Sequence, residues 1–206
     1  MPVFRFYLNL FKENKYWIKK TAFLGGFSLI AGVLVFSLQP ESAPRFMQFL
    51  RRIFADILEG KEIAIDMATA MAIFKNNVQA GIIGLFGGIA LGIIPVLSVI
   101  VNFFIIGYLF AFFSQQRAEG LLVFFVSVVP HAIVEIPLFL ITAAFGLRLG
   151  WFWKINRELS NWEKLKLCLK DNLKLVPLLV VGFFLAALAE IFVSGRLAER
   201  YASGQF

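Results

Sequence analysis

The sequence predicts an all-α fold: a polytopic membrane helix bundle of about five transmembrane helices, with two further amphipathic helices at the membrane surface. Three observations predict it. Of the 206 residues, 60% are hydrophobic, 25 of them Phe, and only 16% are charged, where soluble domains carry about 25% charged residues. Mean hydropathy is +0.81. The apolar residues are gathered into runs close to the ~20 residues that carry a helix across a hydrocarbon core. A water-soluble domain of this composition would expose Phe, Leu and Ile over much of its surface and aggregate. A soluble enzyme and an isolated soluble binding module are therefore excluded, and residues 1–206 read as one integral membrane domain. A single cysteine, Cys168, leaves no intramolecular disulfide framework and no CxxC metal knuckle.

The first apolar run is Thr21–Leu38, preceded by Arg5, Lys12, Lys15, Lys19 and Lys20. It exceeds the ~7–15 residues of a signal-peptide core, and no A-x-A site follows, so it reads as an uncleaved first span. In residues 41–75, Phe46, Phe49, Leu50, Ile53, Phe54, Ile57 and Leu58 recur at helical spacing, with Arg51, Arg52, Asp56 and Glu59 on the other face. This predicts an extracytoplasmic amphipathic segment lying on the membrane or against the bundle. Val78–Pro95 is the predicted second span, and Asn102–Phe113, with some residues before it, the third. The stretch between them is uncharged, so Pro95 is expected at a tight turn in or near the membrane. Leu121–Gly146 is the predicted fourth span and Leu175–Ser194 the fifth. Between them, residues 147–174 carry a stripe of Ile155, Leu159, Trp162, Leu165, Leu169 and Leu173. They predict a cytoplasmic amphipathic helix with Lys154, Arg157, Lys164, Lys170 and Lys174 toward phosphates and water.

Charge sets the expected orientation. With the N-terminus inside, the inner segments (1–20 and 147–174) carry twelve Lys/Arg and four acids, and the outer segments eight and seven. The positive-inside rule then places the N-terminus inside and the C-terminus outside a cell (cytoplasmic) membrane. Trp17, Trp151, Trp153 and Trp162 all fall on the inner side, as an interfacial belt. The net charge of +7 is read as contact with anionic membrane lipid, not nucleic acid.

Two acids, Glu135 and Glu190, fall inside predicted spans, as does the only histidine, His131. A charge at such depth costs about 2.5–3.5 kcal/mol on insertion scales and usually faces a bundle interior or cavity. His131 and Glu135 share a helix face at i,i+4. Pro130 and Pro137 flank them and would free the carbonyls of Val126 and Ile133, so a broken helix is expected there. Asn76, Asn77 and Asn102 are the amides expected to converge with His131, Glu135 and Glu190. The set suits a polar headgroup, a proton site or, last, a divalent cation; an internally satisfied hydrogen-bond cluster that fixes helix packing is the reading favoured over these. One histidine leaves the HExxH and His-rich zinc patterns absent, and no G-x-S-x-G elbow precedes a helix. No catalytic residue, metal or cofactor is assigned.

Gly84, Gly88 and Gly92 form G-x-x-x-G-x-x-x-G in the second span. That stripe lets another helix approach closely, either within the bundle or across a homodimer. It is not a nucleotide-binding loop.

Phe74-Lys75-Asn76-Asn77 before a glycine-rich span, Asn102 with Gly107, the run from Pro130 through His131 and Glu135 to Pro137, and Ala186–Phe192 with Glu190 together resemble the stage II sporulation protein M family. The resemblance covers about residues 70–194. It implies a five-span protein of the cytoplasmic membrane. In spore-formers such a protein acts with two peptidoglycan-degrading partners, localising or anchoring them, and is not itself the hydrolase. The expected function is thus a membrane scaffold for extracytoplasmic, wall-remodelling partners during sporulation, and not an enzyme. A transporter or channel using His131, Glu135 and Glu190 is the alternative. An intramembrane metal hydrolase would need a second strong ligand cluster, which the sequence lacks.

Overall fold

The computed structural model describes residues 2–58, 60, 64–155 and 158–202. Among them every regular element is helical. Four helices are long and apolar enough to cross a membrane, and α4 runs alongside them as a fifth. α1 (Pro2–Glu13) is joined to α2 (Lys15–Leu38) at Asn14, whose side-chain amide donates to the Leu10 carbonyl at 2.7 Å. α3 is Ala43–Ile57, α4 Met67–Phe86, α5 Ile93–Ser114, α6 Arg117–Gly150, α7 Asn161–Ala189 and α8 Arg196–Ala202.

Contacts between helix ends fix the order of the bundle. At one end Trp17 of α2 meets Trp151 edge-to-face, with ring centroids 6.3 Å apart, and the Trp151 indole donates to the Leu91 carbonyl between α4 and α5. At the other end Phe36 of α2, Phe46 of α3 and Tyr108 of α5 form an aromatic cluster. Long helices consecutive in the chain therefore alternate in direction, and the packed pairs α2–α5 and α4–α6 run parallel. Outward faces are apolar, as at Phe23, Phe27, Ile30 and Leu34 on α2 and Phe125, Val129 and Ile133 on α6. Burying such side chains in lipid replaces the driving force that water supplies elsewhere, so the interior is held by close contact. A Cβ on Gly32 would strike the Phe104 carbonyl, and one on Gly107 the Leu29 carbonyl. Small residues thus seat α2 against α5.

Several elements differ from the sequence expectation. The segment 41–75 is not one amphipathic helix. α3 ends at Ile57, and residues 67–75 belong to α4, which starts at Met67 rather than Val78 because Asp66 caps it, accepting from the Thr69 amide at 2.7 Å. Glu59, assigned to the polar face, lies outside the described residues. The second span stops at Phe86, not Pro95: Gly87–Ile89 winds as a 3₁₀ turn, and Leu91 and Gly92 follow at φ of 56° and 77°. The turn expected at Pro95 therefore precedes it, and Pro95 sits in the first turn of α5, where its missing N–H is harmless.

Residues 147–174 likewise form no separate surface helix. α6 ends at Gly150, and α7 begins at a Ser160/Glu163 capping box and runs unbroken through Lys174 and Pro177. Its apolar and polar halves are one helix, and Cys168, Asp171 and Asn172 are buried. Arg157, expected to face phosphates, lies outside the described residues.

The expected break in span four is not there. α6 is continuous across Pro130 and Pro137. Each proline deletes one rung, while the remaining hydrogen bonds and the neighbouring helices hold the axis. The irregular winding falls on the facing chain instead, where Glu190–Gly195 is a six-residue π-helical turn.

The glycine stripe packs inside one chain. A Cβ on Gly88 would strike the Gly146 carbonyl, one on Gly146 the Gly84 carbonyl, and one on Gly150 the backbone of Gly88 and Gly92. α6 thus occupies the face that the sequence left open to a second copy.

Candidate functional site

Two elements bring three ionisable side chains together. α6 presents His131 and Glu135 one turn apart, with His131 Nε2 3.9 Å from Glu135 Oε2. The π-turn after α7 supplies Glu190 at its start and Ser194 one winding later. One ligand atom from each of His131, Glu135 and Glu190 lies within 4.8 Å of the others. Ser194 Oγ is 3.4 Å from His131 Nδ1 and is buried. Glu190 and Ser194, four residues apart, lie on one side of the chain, toward α6. The cluster lies near the end of the bundle where α4 begins, because Ile65 is the side chain next to Gly195.

The side chains of His131 and Glu135 retain 16% and 20% of their exposure, so the cluster is reachable from outside the bundle. It offers one imidazole nitrogen and two carboxylates to whatever enters, with a hydroxyl behind the imidazole. The amides expected with it hydrogen-bond to other partners. Asn76 donates to Asn77 Oδ1 at 3.4 Å on α4, and Asn102 bonds back to the Ser98 carbonyl of its own helix at 2.8 Å. Among the described residues, then, the three ionisable groups converge and the three amides do not join them.

A second buried polar group escaped the sequence reading. Arg148, at the end of α6, donates to Asp171 of α7 at 2.8 Å, and Lys174 reaches the other Asp171 oxygen at 2.9 Å. Next to it, the Asn172 amide donates to the Leu85 carbonyl at 2.7 Å, tying α7 to the last turn of α4. Counted by sequence alone, Arg148 and Asp171 belonged to a solvated basic segment. The available signal was Asp171-Asn172 interrupting the apolar stripe between Leu169 and Leu173.

A third feature is a groove of about 910 Å³ between the end of α3 and the outward face of α4, bordered by Leu58, Met71, Lys75, Val78, Gln79 and Ile82 among others. Lys75 and Gln79 are exposed on this face, near the middle of α4.

The sequence profile of the stage II sporulation protein M family matches residues 21–195. Two uncharacterized proteins of Methanocaldococcus jannaschii are also similar. One is 27% identical over 132 residues, covering 63% of this chain and 57% of its own length. The other is 28% identical over 130 residues, covering 62% of this chain and 71% of its own length. The chain thus spans little more than half the length of the first of these relatives. No solved structure matches it. The matched stretch runs from the start of the α2 apolar run to the end of the Glu190–Gly195 turn, and the chain belongs to the stage II sporulation protein M family.

Proposed function

We propose that this multi-pass membrane protein is a scaffold. It holds membrane-anchored partners with extracytoplasmic activities, wall-remodelling enzymes among them, and does no catalysis itself. In this reading it sits in the cytoplasmic membrane, N-terminus inside and C-terminus outside. The observation that carries the reading is the α3–α4 groove. Lys75 and Gln79 are exposed there on a helix whose neighbours are lipid-facing. A lysine facing hydrocarbon costs about 2.5–3.5 kcal/mol on insertion scales, and a partner segment bearing acceptors offsets that cost. Leu58, Met71, Val78 and Ile82 supply apolar contact beside the polar pair, as an interface for a transmembrane partner requires. The family resemblance supplies the class of partner.

The test is photocrosslinking in native membranes. A photoreactive residue replaces Gln79 in the groove or, as control, Phe27 on the exposed face of α2. A discrete protein adduct from position 79 and none from position 27 supports the scaffold. Lipid adducts alone from both positions sink it.

A further inference from the structure

We infer that His131, Glu135 and Glu190 form a binding site for one divalent transition-metal ion, of the zinc class, which clamps α6 to the π-turn after α7. The site is independent of the groove and of the scaffold reading.

The geometry carries the inference in three parts. First, the donor set is of the right kind. An imidazole and two carboxylates are ordinary zinc ligands, with bonds of about 2.0–2.2 Å to each. A tetrahedral site with such bonds separates its ligand atoms by about 3.3 Å. Here the ligand atoms lie within 4.8 Å of one another, and the His131–Glu135 pair stands at 3.9 Å. Side-chain rotations of an ångström or so close the set, with no backbone movement. Second, the imidazole is oriented for the task. Ser194 Oγ lies 3.4 Å from Nδ1 and Nε2 faces Glu135, so with the ion on Nε2 the remaining Nδ1–H has the hydroxyl as its acceptor. A ligating histidine ordinarily donates its other nitrogen in this way, which fixes tautomer and ring plane. Third, the charges call for a cation. Two carboxylates held this close in low-dielectric surroundings repel, and a dication neutralises both.

Three protein ligands leave a fourth position for water or a carboxylate from outside, and the residual exposure of His131 and Glu135 gives the ion a way in.

The experiment uses the full chain, purified in detergent and stripped with chelator. Metal content is read by mass spectrometry after loading with Zn²⁺ and desalting. Co²⁺ replaces Zn²⁺ in a parallel sample, where visible absorption reports low-coordinate ligation by nitrogen and oxygen. The wild type is expected to retain about one ion per chain, show the Co²⁺ bands, and melt at a higher temperature with Zn²⁺ than without. Glu135→Gln and Glu190→Gln, which keep side-chain size, are expected to lose the ion and the thermal shift while remaining monodisperse. Ser194→Ala is expected to weaken Zn²⁺ binding about 10- to 100-fold with the Co²⁺ bands retained. Retention of no more ion by the wild type than by the Glu135→Gln/Glu190→Gln double variant, or absence of Co²⁺ bands from the wild type, overturns the inference in favour of a metal-free hydrogen-bond cluster.

Discussion

Arg148 Nη1 donates to Asp171 Oδ2 at 2.8 Å, and both side chains are buried where α6 and α7 meet. Lys174 makes the second bond to the same carboxylate from a more exposed position. Removing one partner of a buried pair strands the other charge, which costs about 3–5 kcal/mol. Asp171→Ala is therefore expected to lower the unfolding temperature of the solubilised protein strongly. Lys174→Ala removes a half-exposed partner, and pairs of that kind contribute about 0–1 kcal/mol. Thermal unfolding followed by tryptophan fluorescence compares the two. Equal effects would mean that Arg148 finds another partner when Asp171 is gone.

The glycines separate by what surrounds them. A Cβ on Gly88 collides with the Gly146 carbonyl, whereas one on Gly26 meets nothing within 4 Å. Gly88→Ala forces the 3₁₀ turn after α4 away from α6 and is expected to destabilise by about 1–3 kcal/mol, the usual scale of overpacking. Gly26→Ala is expected to stabilise by about 0.5–1 kcal/mol through lower chain entropy in the unfolded state. Unfolding temperatures that move in the same direction for both variants would contradict this packing.

Leu91 adopts a left-handed backbone, φ 56°, beside Gly92 at 77°. That conformation costs an L-residue roughly 1–2 kcal/mol, of which the extra entropy of a glycine in the unfolded chain takes back about half. Leu91→Gly is expected to raise stability slightly. Trp151→Phe removes the 2.9 Å bond from the indole to the Leu91 carbonyl and is expected to cost about 0.5–1.5 kcal/mol. The pair of variants is checked by the same melts, and a lower melting temperature for Leu91→Gly would show that its side chain matters more than its backbone.

Tyr108 and Ser42 share a hydrogen bond of 2.6 Å between hydroxyls at the end of the bundle where α3 docks. Tyr108→Phe keeps the ring contacts with Phe36 and Phe46 and deletes only that bond. Amide exchange over residues 43–57 is expected to speed up roughly 2- to 10-fold, with α5 unchanged. Unaltered exchange in α3 would assign its docking to the aromatic contacts alone.

Much of the architecture was legible in the residues. Thr21–Leu38 and Leu121–Gly146 fall within α2 and α6, because long apolar runs leave the chain no other way to satisfy its backbone in lipid. Element ends were harder. Val78 looked like a beginning because Lys75, Asn76 and Asn77 are polar, yet the cap at Asp66 starts the helix earlier, leaving Lys75 and Asn76 exposed and Asn77 buried. Pro130 and Pro137 looked like a break, yet a helix supported by its neighbours tolerates two missing rungs.

By itself the sequence determined that the chain is helical, that it crosses a membrane several times, and that His131, Glu135 and Glu190 fall within its long apolar stretches. These follow from composition and periodicity, which are local. Only the tertiary structure decided which groups meet. It set Glu190 beside His131 and left Asn76, Asn77 and Asn102 on other contacts. It turned the Gly84–Gly88–Gly92 face to Gly146 and Gly150 of the same chain, and it buried Arg148 on Asp171. The physical reason is common to all three. Helical spacing fixes which side chains share a face, but the rotation of each helix about its axis, and a single π-turn in one of them, determine what that face meets.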